Sequence, residues 1–339
     1  MLLMEALKFV LGGIAISIGA YLLVALVLAL ANSPVVPEST GRAIAFTSLT
    51  EADYADLPPT RSFAARDGAG LSYRLYGDLT AARRLLVLVH GSAWHGMQFH
   101  AMARELSGDR ETAVVVPDLR GHGANPVTRG DVAHIGQLEE DLADLIGAVT
   151  AAHADLTVVL AGHSSGGGLV VRFAGGDYGR LADGFVLIAP FLKHNAPTTR
   201  ANSGGWAFPA TPRIVGLSML NMVGITALHG LPVIAFAMPR SVLEGPYGET
   251  VTTSYSYRLN TSIAPRPDYE ADLAAIDRPL LLLVGAEDEA FEAERYEPVI
   301  SAQTTTGTYE ILPEAGHIGI LTDTRSVRVI RDWLASSGL

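Results

Sequence analysis

Short apolar runs set at intervals along the chain restrict its fold more than any other feature. Leu85–Val89, Ala113–Val116, Leu156–Ala161, Gly184–Pro190 and Pro279–Val284 hold four to seven residues each, and Thr308–Leu312 adds a less apolar sixth. Helical patterns stand between and after them. Gln98–Leu106 is one; Val132–His153 sets Ile135, Leu138, Leu142, Leu145, Ile146 and Val149 on one face, and Thr324–Ala335 does the same with Val327, Ile330 and Leu334. Alternation of this kind marks parallel strands buried on both faces, with right-handed crossover helices on either side. Ahead of them, Ser62–Gly77 predicts two short strands turned at Asp67-Gly68. The expected class is α/β, a mostly parallel doubly wound sheet. Such sheets bind ligands beyond the C-terminal ends of their strands.

The loop after the third run reads Gly162-His163-Ser164-Ser165-Gly166, followed by Gly167 and Gly168. A tight strand-to-helix turn needs glycine two places either side of a serine held in a strained conformation, and it leaves that serine at a helix N-terminus. Ser164 is the candidate nucleophile. Ser165 is its rival, but the same spacing would then require glycine at 163, where histidine stands. A phosphate-binding loop is not supported, because no Lys-Ser or Lys-Thr pair follows the glycines.

A serine hydroxyl needs a general base. Of the ten histidines, His317 lies in Pro313-Glu314-Ala315-Gly316-His317, after the last run, where the order serine, acid, histidine puts a base. The acid falls between them. Gly285-Ala286-Glu287-Asp288-Glu289 offers three carboxylates; the short side chain of Asp288, four residues past the run, is favoured, and Glu287 and Glu289 read as solvated charge. Candidate oxyanion donors are the backbone N–H groups of Ser165 and of Ser92, in His90-Gly91-Ser92-Ala93-Trp94. His90, His122 and His163 adjoin these loops and read as braces. His95, His100, His134, His153, His194 and His229 have no motif and read as surface or packing residues.

The segments LLVLVHGSAW, VVVPDLRGHG, LAGHSSGG, PLLLLVGAEDE and LPEAGHIG stand in the order found in the α/β-hydrolase superfamily. From about residue 62 onward the chain resembles its serine hydrolases, particularly those similar to monoacylglycerol lipases, lysophospholipases and proline iminopeptidases. The resemblance implies a triad of Ser164, Asp288 and His317, oxyanion donors at Ser92 and Ser165, and structural roles for Asp118 and Arg120. It also implies a core of residues 62–192 and 266–339, with a helical lid over 193–265. The lid matches nothing that names a substrate.

Within that lid, Ile214–Pro239 is 26 residues without a charge. Length alone would let it span a membrane. Asn221, His229 and Gly230-Leu231-Pro232 break it, so two or three short helices forming an apolar cover are expected. Met219, Met222 and Met238 suit a loose acyl pocket and equally an ordinary core; a pocket lined this way favours an acyl chain over a charged substrate.

The N-terminus carries a second charge-free stretch, Phe9–Ala31, 23 residues long. At about 1.5 Å per residue it can cross a hydrocarbon core of about 30 Å. Residues 1–32 are therefore expected to be a single-pass membrane anchor, with Lys8 on its cytoplasmic flank, Glu5 weakening that signal, and the catalytic domain outside the cytoplasm. Ala29-Leu30-Ala31 also fits a cleavage site, which would make the stretch a signal peptide and the protein secreted. Residues 33–61, with Pro34, Pro37, Pro58 and Pro59, read as a linker.

The formal net charge is −11 and only two lysines occur, Lys8 and Lys193, so a nucleic-acid partner is excluded. The chain has no cysteine; disulfides, thiolate nucleophiles and zinc–thiolate sites are out. No metal or organic cofactor is implied. The expected function is hydrolysis of an acyl ester, of lipid-like kind, through an acyl-enzyme on Ser164. A peptidase or amidase of the same fold, and a catalytically silent membrane-tethered binding protein, are the competing readings.

Overall fold

The computed structural model describes residues 2–37, 44–123 and 128–339. Its strands are β1 (Arg61–Ala64), β2 (Gly70–Tyr76), β3 (Arg84–Val89), β4 (Thr112–Pro117), β5 (Thr157–His163), β6 (Gly184–Ile188), β7 (Ala207–Pro209), β8 (Pro232–Phe236), β9 (Ser254–Ser256), β10 (Leu280–Gly285) and β11 (Gly307–Leu312). Eight of them form one sheet, in the order β1-β2-β4-β3-β5-β6-β10-β11. β4 to β11 of that sheet run parallel; β1 and β2 are antiparallel at one edge. This is the α/β-hydrolase fold.

Every residue of β3, β4 and β10 is buried, as continuous apolar runs require. Alternate residues feed opposite faces, because strand side chains have a period of two. On one face Val87, Val115, Leu160 and Leu282 pack with Leu138, Leu142, Leu169 and Phe173. On the other, Leu86, Val114, Val159 and Leu281 pack with Met102, Leu106, Ile330 and Trp333. Helices Gln137–Thr150 and Ser165–Ala174 thus cover one side, and His100–Leu106 and Thr324–Ser336 the other. β11 is the far edge strand, and the exposure of Thr308 and Glu310 explains its weaker apolar signal.

Between β6 and β10 the chain departs from an all-helical insertion. It holds the helix Thr211–Met222 and a three-stranded antiparallel sheet, β7-β8-β9. The charge-free run Ile214–Pro239 therefore divides into one helix and one strand. Gly224, at φ 79°, stops the helix: its N–H donates to Asn221 O and that of Ile225 to Leu220 O. Beyond the turn, Val233, Ile234 and Phe236 are strand formers, and the strand they make pairs with β7 on one side and β9 on the other.

The N-terminal helix spans Leu2–Ala31 and is long and apolar enough to cross a membrane. Only Ala25 and Ala29 in it are buried, against the helix Thr211–Met222. The expected linker is partly built into the core. Ile44, Phe46 and Leu49 are buried, and the Phe46 ring lies 5.7 Å from Trp94 and 5.3 Å from Trp206. Residues 38–43 of that stretch lie outside the described residues.

Candidate active site

Three side chains from distant stretches meet at the C-terminal rim of the sheet. Ser164 follows β5, Asp288 follows β10 and His317 follows β11. His317 Nε2 lies 3.1 Å from Ser164 Oγ, and His317 Nδ1 lies 2.8 Å from Asp288 Oδ2. All three are buried, Ser164 least at 8% exposed. Asp288 Oδ1 accepts the N–H groups of Ala290 and Phe291, both at 2.8 Å, so the carboxylate cannot rotate away from the imidazole.

The turn that presents Ser164 is strained as the motif requires. Ser164 has φ 55° and ψ −122°, and the helix Ser165–Ala174 starts directly after it. A Cβ on Gly166 would overlap the carbonyl oxygens of Val89 and His90, and one on Gly162 would overlap Gly166 O. Both glycines are there for close backbone approach. Ser165 is buried, its hydroxyl has no hydrogen-bond partner among the described residues, and it is the first residue of the helix that follows Ser164.

Ser92 lies in the loop after β3 and lines the same cavity as Ser164, Ser165 and His317. Its Oγ accepts from Trp206 Nε1 at 3.2 Å. Next to it, Ala93 sits at φ 66°, a conformation that a non-glycine residue keeps only where its surroundings hold it. Tyr255 of β9 supplies that hold: its hydroxyl accepts the Ala93 N–H at 2.8 Å and donates to His122 Nε2 at 2.6 Å. Tyr255→Phe leaves two buried groups unpaired, so it should cost about 2–4 kcal/mol of stability. Urea unfolding measures this, and a fall in kcat should accompany it as the loop relaxes.

The three histidines read as braces are buried, and each uses both ring nitrogens. His90 Nδ1 donates to Gly91 O, and its Nε2 accepts the Leu119 N–H. His122 Nδ1 donates to Arg120 O. His163 Nε2 donates to the carbonyl of His317 at 2.9 Å, leaving Nδ1 to accept from Gln98. Burial, with the His317 ring 4.5 Å away, holds the His163 imidazole well below the usual histidine range. Asp118 Oδ1 accepts the Gly96 N–H, and Arg120 pairs with Asp141 and Asp67. Both tie loops together away from the reacting atoms.

Five residues escaped the sequence: Glu289, Trp206, Phe236, Tyr255 and Phe46. Glu289 is not free charge: its Oε2 accepts the N–H of His317 at 2.8 Å. Glu287 is exposed. Trp206, Phe236 and Tyr255 come from the insertion, and Phe46 reaches a neighbouring crevice beside Ser92 and His317. No spacing rule points to them, because each arrives on an element with no motif of its own.

The cavity over Ser164 has a volume of about 60 Å³. Its walls include Phe191, Trp206, Ile234, Phe236, Ile263 and Phe291. Among the described residues, no Asp or Glu lines it. Among the described residues no group of three or more His, Cys, Asp or Glu could hold a metal ion.

The family model of the serine aminopeptidases, S33 (Hydrolase_4), matches residues 80–324, which include all three convergent side chains. The chain belongs to this family. A monoacylglycerol lipase of Mycolicibacterium smegmatis is 32% identical over 129 residues, 38% of this chain and 45% of that protein. The human monoglyceride lipase is 26% identical over 170 residues, 50% of this chain and 51% of that one. The S33-family chain thus matches about half the length of these relatives. Among solved structures, a soluble variant of monoglyceride lipase from Saccharomyces cerevisiae, bound to a substrate analog, superposes with TM-score 0.62 at 15% identity, covering 85% of this chain and 97% of that one. The Paleococcus ferrophilus monoacylglycerol lipase gives 0.57 at 22% identity, covering 79% and 99%. These two likenesses establish the fold.

Proposed function

We propose that the protein is a serine hydrolase of carboxylic esters with apolar acyl groups, anchored to a membrane by its N-terminal helix, with the catalytic domain on the extracytoplasmic side. The observation that carries this reading is the hydrogen-bonded line from Ser164 through His317 to Asp288, opening onto a cavity walled by aromatic and aliphatic side chains.

Ser164 Oγ attacks the acyl carbonyl while His317 Nε2 takes its proton. Asp288 holds the tautomer and stabilises the imidazolium that forms. The carbonyl oxygen, gaining charge, turns toward the N–H groups of Ser165 and Ser92. Collapse expels the alcohol, which takes the proton from His317 and leaves Ser164 acylated. Water, activated by the same imidazole, then releases the acid.

The relatives support the ester reading through their monoacylglycerol and monoglyceride lipase names. An aminopeptidase would have to fix a substrate ammonium, and among the described residues no carboxylate lines the cavity for it. A fluorophosphonate probe tests the proposal together with p-nitrophenyl butyrate and its anilide counterpart. Expected are an adduct on Ser164 and ester turnover far above amide turnover. An unlabelled folded protein, or a preference for the amide, overturns it.

A further inference from the structure

The insertion over the active site packs on the anchor helix itself, and the way it does so has a direction. The helix Thr211–Met222 runs antiparallel to the last third of Leu2–Ala31. Near the anchor's end, Arg213 Nε donates to Ala29 O at 3.0 Å and Nη1 to Pro232 O at 2.9 Å. One turn on, Gly216 lies so close that a Cβ would overlap the backbone of Ala25 and Ala29. Further still, Tyr21 Oη donates to Met219 O at 2.9 Å. Leu217, Leu220 and Val233 complete a small apolar core with Ala25 and Ala29.

Tyr21 lies about ten residues before the anchor's end, a descent of about 15 Å, half the hydrocarbon core of a bilayer. The insertion helix descends with it. At its tip the apolar side chains face outward: Met222 is 80% exposed, Val223 52% and Ile225 38%. Val223 and Ile225 share a groove with Ser17, Ile18, Tyr21 and Leu22 of the anchor. Exposed apolar groups of this kind are costly in water and favourable in lipid. Arg213 carries the one charge of the helix and sits at the other end, paired to carbonyls where a span would leave the hydrocarbon. On the inner side Ile234 touches both the anchor-side core and the wall of the Ser164 cavity.

We infer that Thr211–Leu231 is a re-entrant hairpin, inserted about halfway into the lipid bilayer alongside the anchor, and that acyl substrate reaches Ser164 from within that leaflet. The inference rests on the anchor and ester readings above. It requires that residues 1–31 stay attached: Ala29, inside the potential cleavage motif, is fully buried and hydrogen-bonded to Arg213. The anchor then fixes the depth of the hairpin rather than serving as an interchangeable tether.

The chain has no cysteine, so single replacements report on one site each. Full-length protein is reconstituted into phosphatidylcholine–phosphatidylglycerol vesicles with a nitrobenzoxadiazole label on Met222→Cys, Ile18→Cys or Arg240→Cys. Met222 should behave like Ile18, quenched by doxyl lipid and shielded from iodide, while Arg240 behaves as aqueous. A Met222 label as open to iodide as that on Arg240 overturns the inference. Loss of the protein from carbonate-washed vesicles overturns the anchor reading instead. In a second arm, Met222→Lys and Val223→Lys should hydrolyse soluble p-nitrophenyl butyrate within about twofold of wild type, yet turn over vesicle-embedded monoacylglycerol at least about tenfold more slowly, because a charge at that depth resists insertion. Equal losses on both substrates, or none on either, overturn delivery through the leaflet. Absence of ester turnover in wild type, with Met222 still lipid-shielded, sinks the ester reading and leaves the hairpin standing.

Discussion

Asp288→Asn is expected to lower kcat for p-nitrophenyl butyrate by about 10⁴-fold while the protein stays folded. Asp288 Oδ1 is fixed by two N–H donors, from Ala290 and Phe291, while Oδ2 faces His317 Nδ1. An asparagine keeps its oxygen on those two donors, so its NH₂ group turns toward the imidazole. His317 then has to accept at Nδ1 and carry its proton at Nε2, the nitrogen 3.1 Å from Ser164 Oγ. A base already protonated on its working side cannot take the serine proton. Ser164→Ala removes the nucleophile, and a loss on the order of 10⁶ is expected. Because the groups act as one unit, the double variant should be no slower than Ser164→Ala alone. Glu289→Gln is the contrast, with a loss of less than about tenfold, because Glu289 bonds the main chain of His317, where glutamine can still accept. Stopped-flow or plate assays with active-site titration check all four. An Asp288→Asn variant within tenfold of wild type would remove the carboxylate from the mechanism.

The parts of this site legible in the sequence are those whose local geometry dictates residue type. Gly162 and Gly166 mark the turn because side chains there would collide with backbone. The apolar runs mark the strands because β3, β4 and β10 bury every residue. Once strands and turn are placed, the order of Ser164, Asp288 and His317 follows from which strand ends carry a carboxylate and a histidine. The insertion obeys no such constraint. Its run Ile214–Pro239 reads as helix by length and as broken helix by its glycine and proline. What makes Pro232–Phe236 a strand is its pairing with Ala207–Pro209 and Ser254–Ser256, each remote in sequence. Phe46 was hidden for a similar reason: a proline-marked segment gives no sign that its one phenylalanine fills the space between Trp94 and Trp206. Glu289 looked like its solvated neighbour Glu287 because its acceptor role depends on a loop 28 residues away.

Stability should collapse between pH 6.5 and pH 5, well before most carboxylates titrate. His90, His122 and His163 are at most 1% exposed, and desolvation pushes each below the ordinary histidine range. His95, stacked on Trp94, is lowered to about 4, desolvation outweighing the attraction of Asp118. In the unfolded chain all four return to about 6.5. Below that value the unfolded state binds protons that the folded state refuses, so stability rises with pH through the window and falls as pH drops. Each histidine contributes about 1.4 kcal/mol per pH unit, and His95 does so down to about pH 4. Three or four acting together lose about 4–6 kcal/mol per unit, comparable with the whole stability of an ordinary domain. Asp67, Asp131 and Asp144 are lowered below the usual carboxylate value by their arginine partners and peptide N–H donors, so they add their loss only at more acid pH. The geometry says why no histidine can yield: protonating His122 at Nε2 would set an N–H against the proton that Tyr255 donates, and Tyr255 is itself committed to Ala93. Urea unfolding of the full chain in detergent should therefore show an uptake of about three protons at pH 5.5, falling by about one in His122→Gln. A midpoint unchanged between pH 7 and pH 5 would mean that these rings accept protons in place, and that the hydrogen-bonded frame beneath the oxyanion loop is looser than its distances indicate.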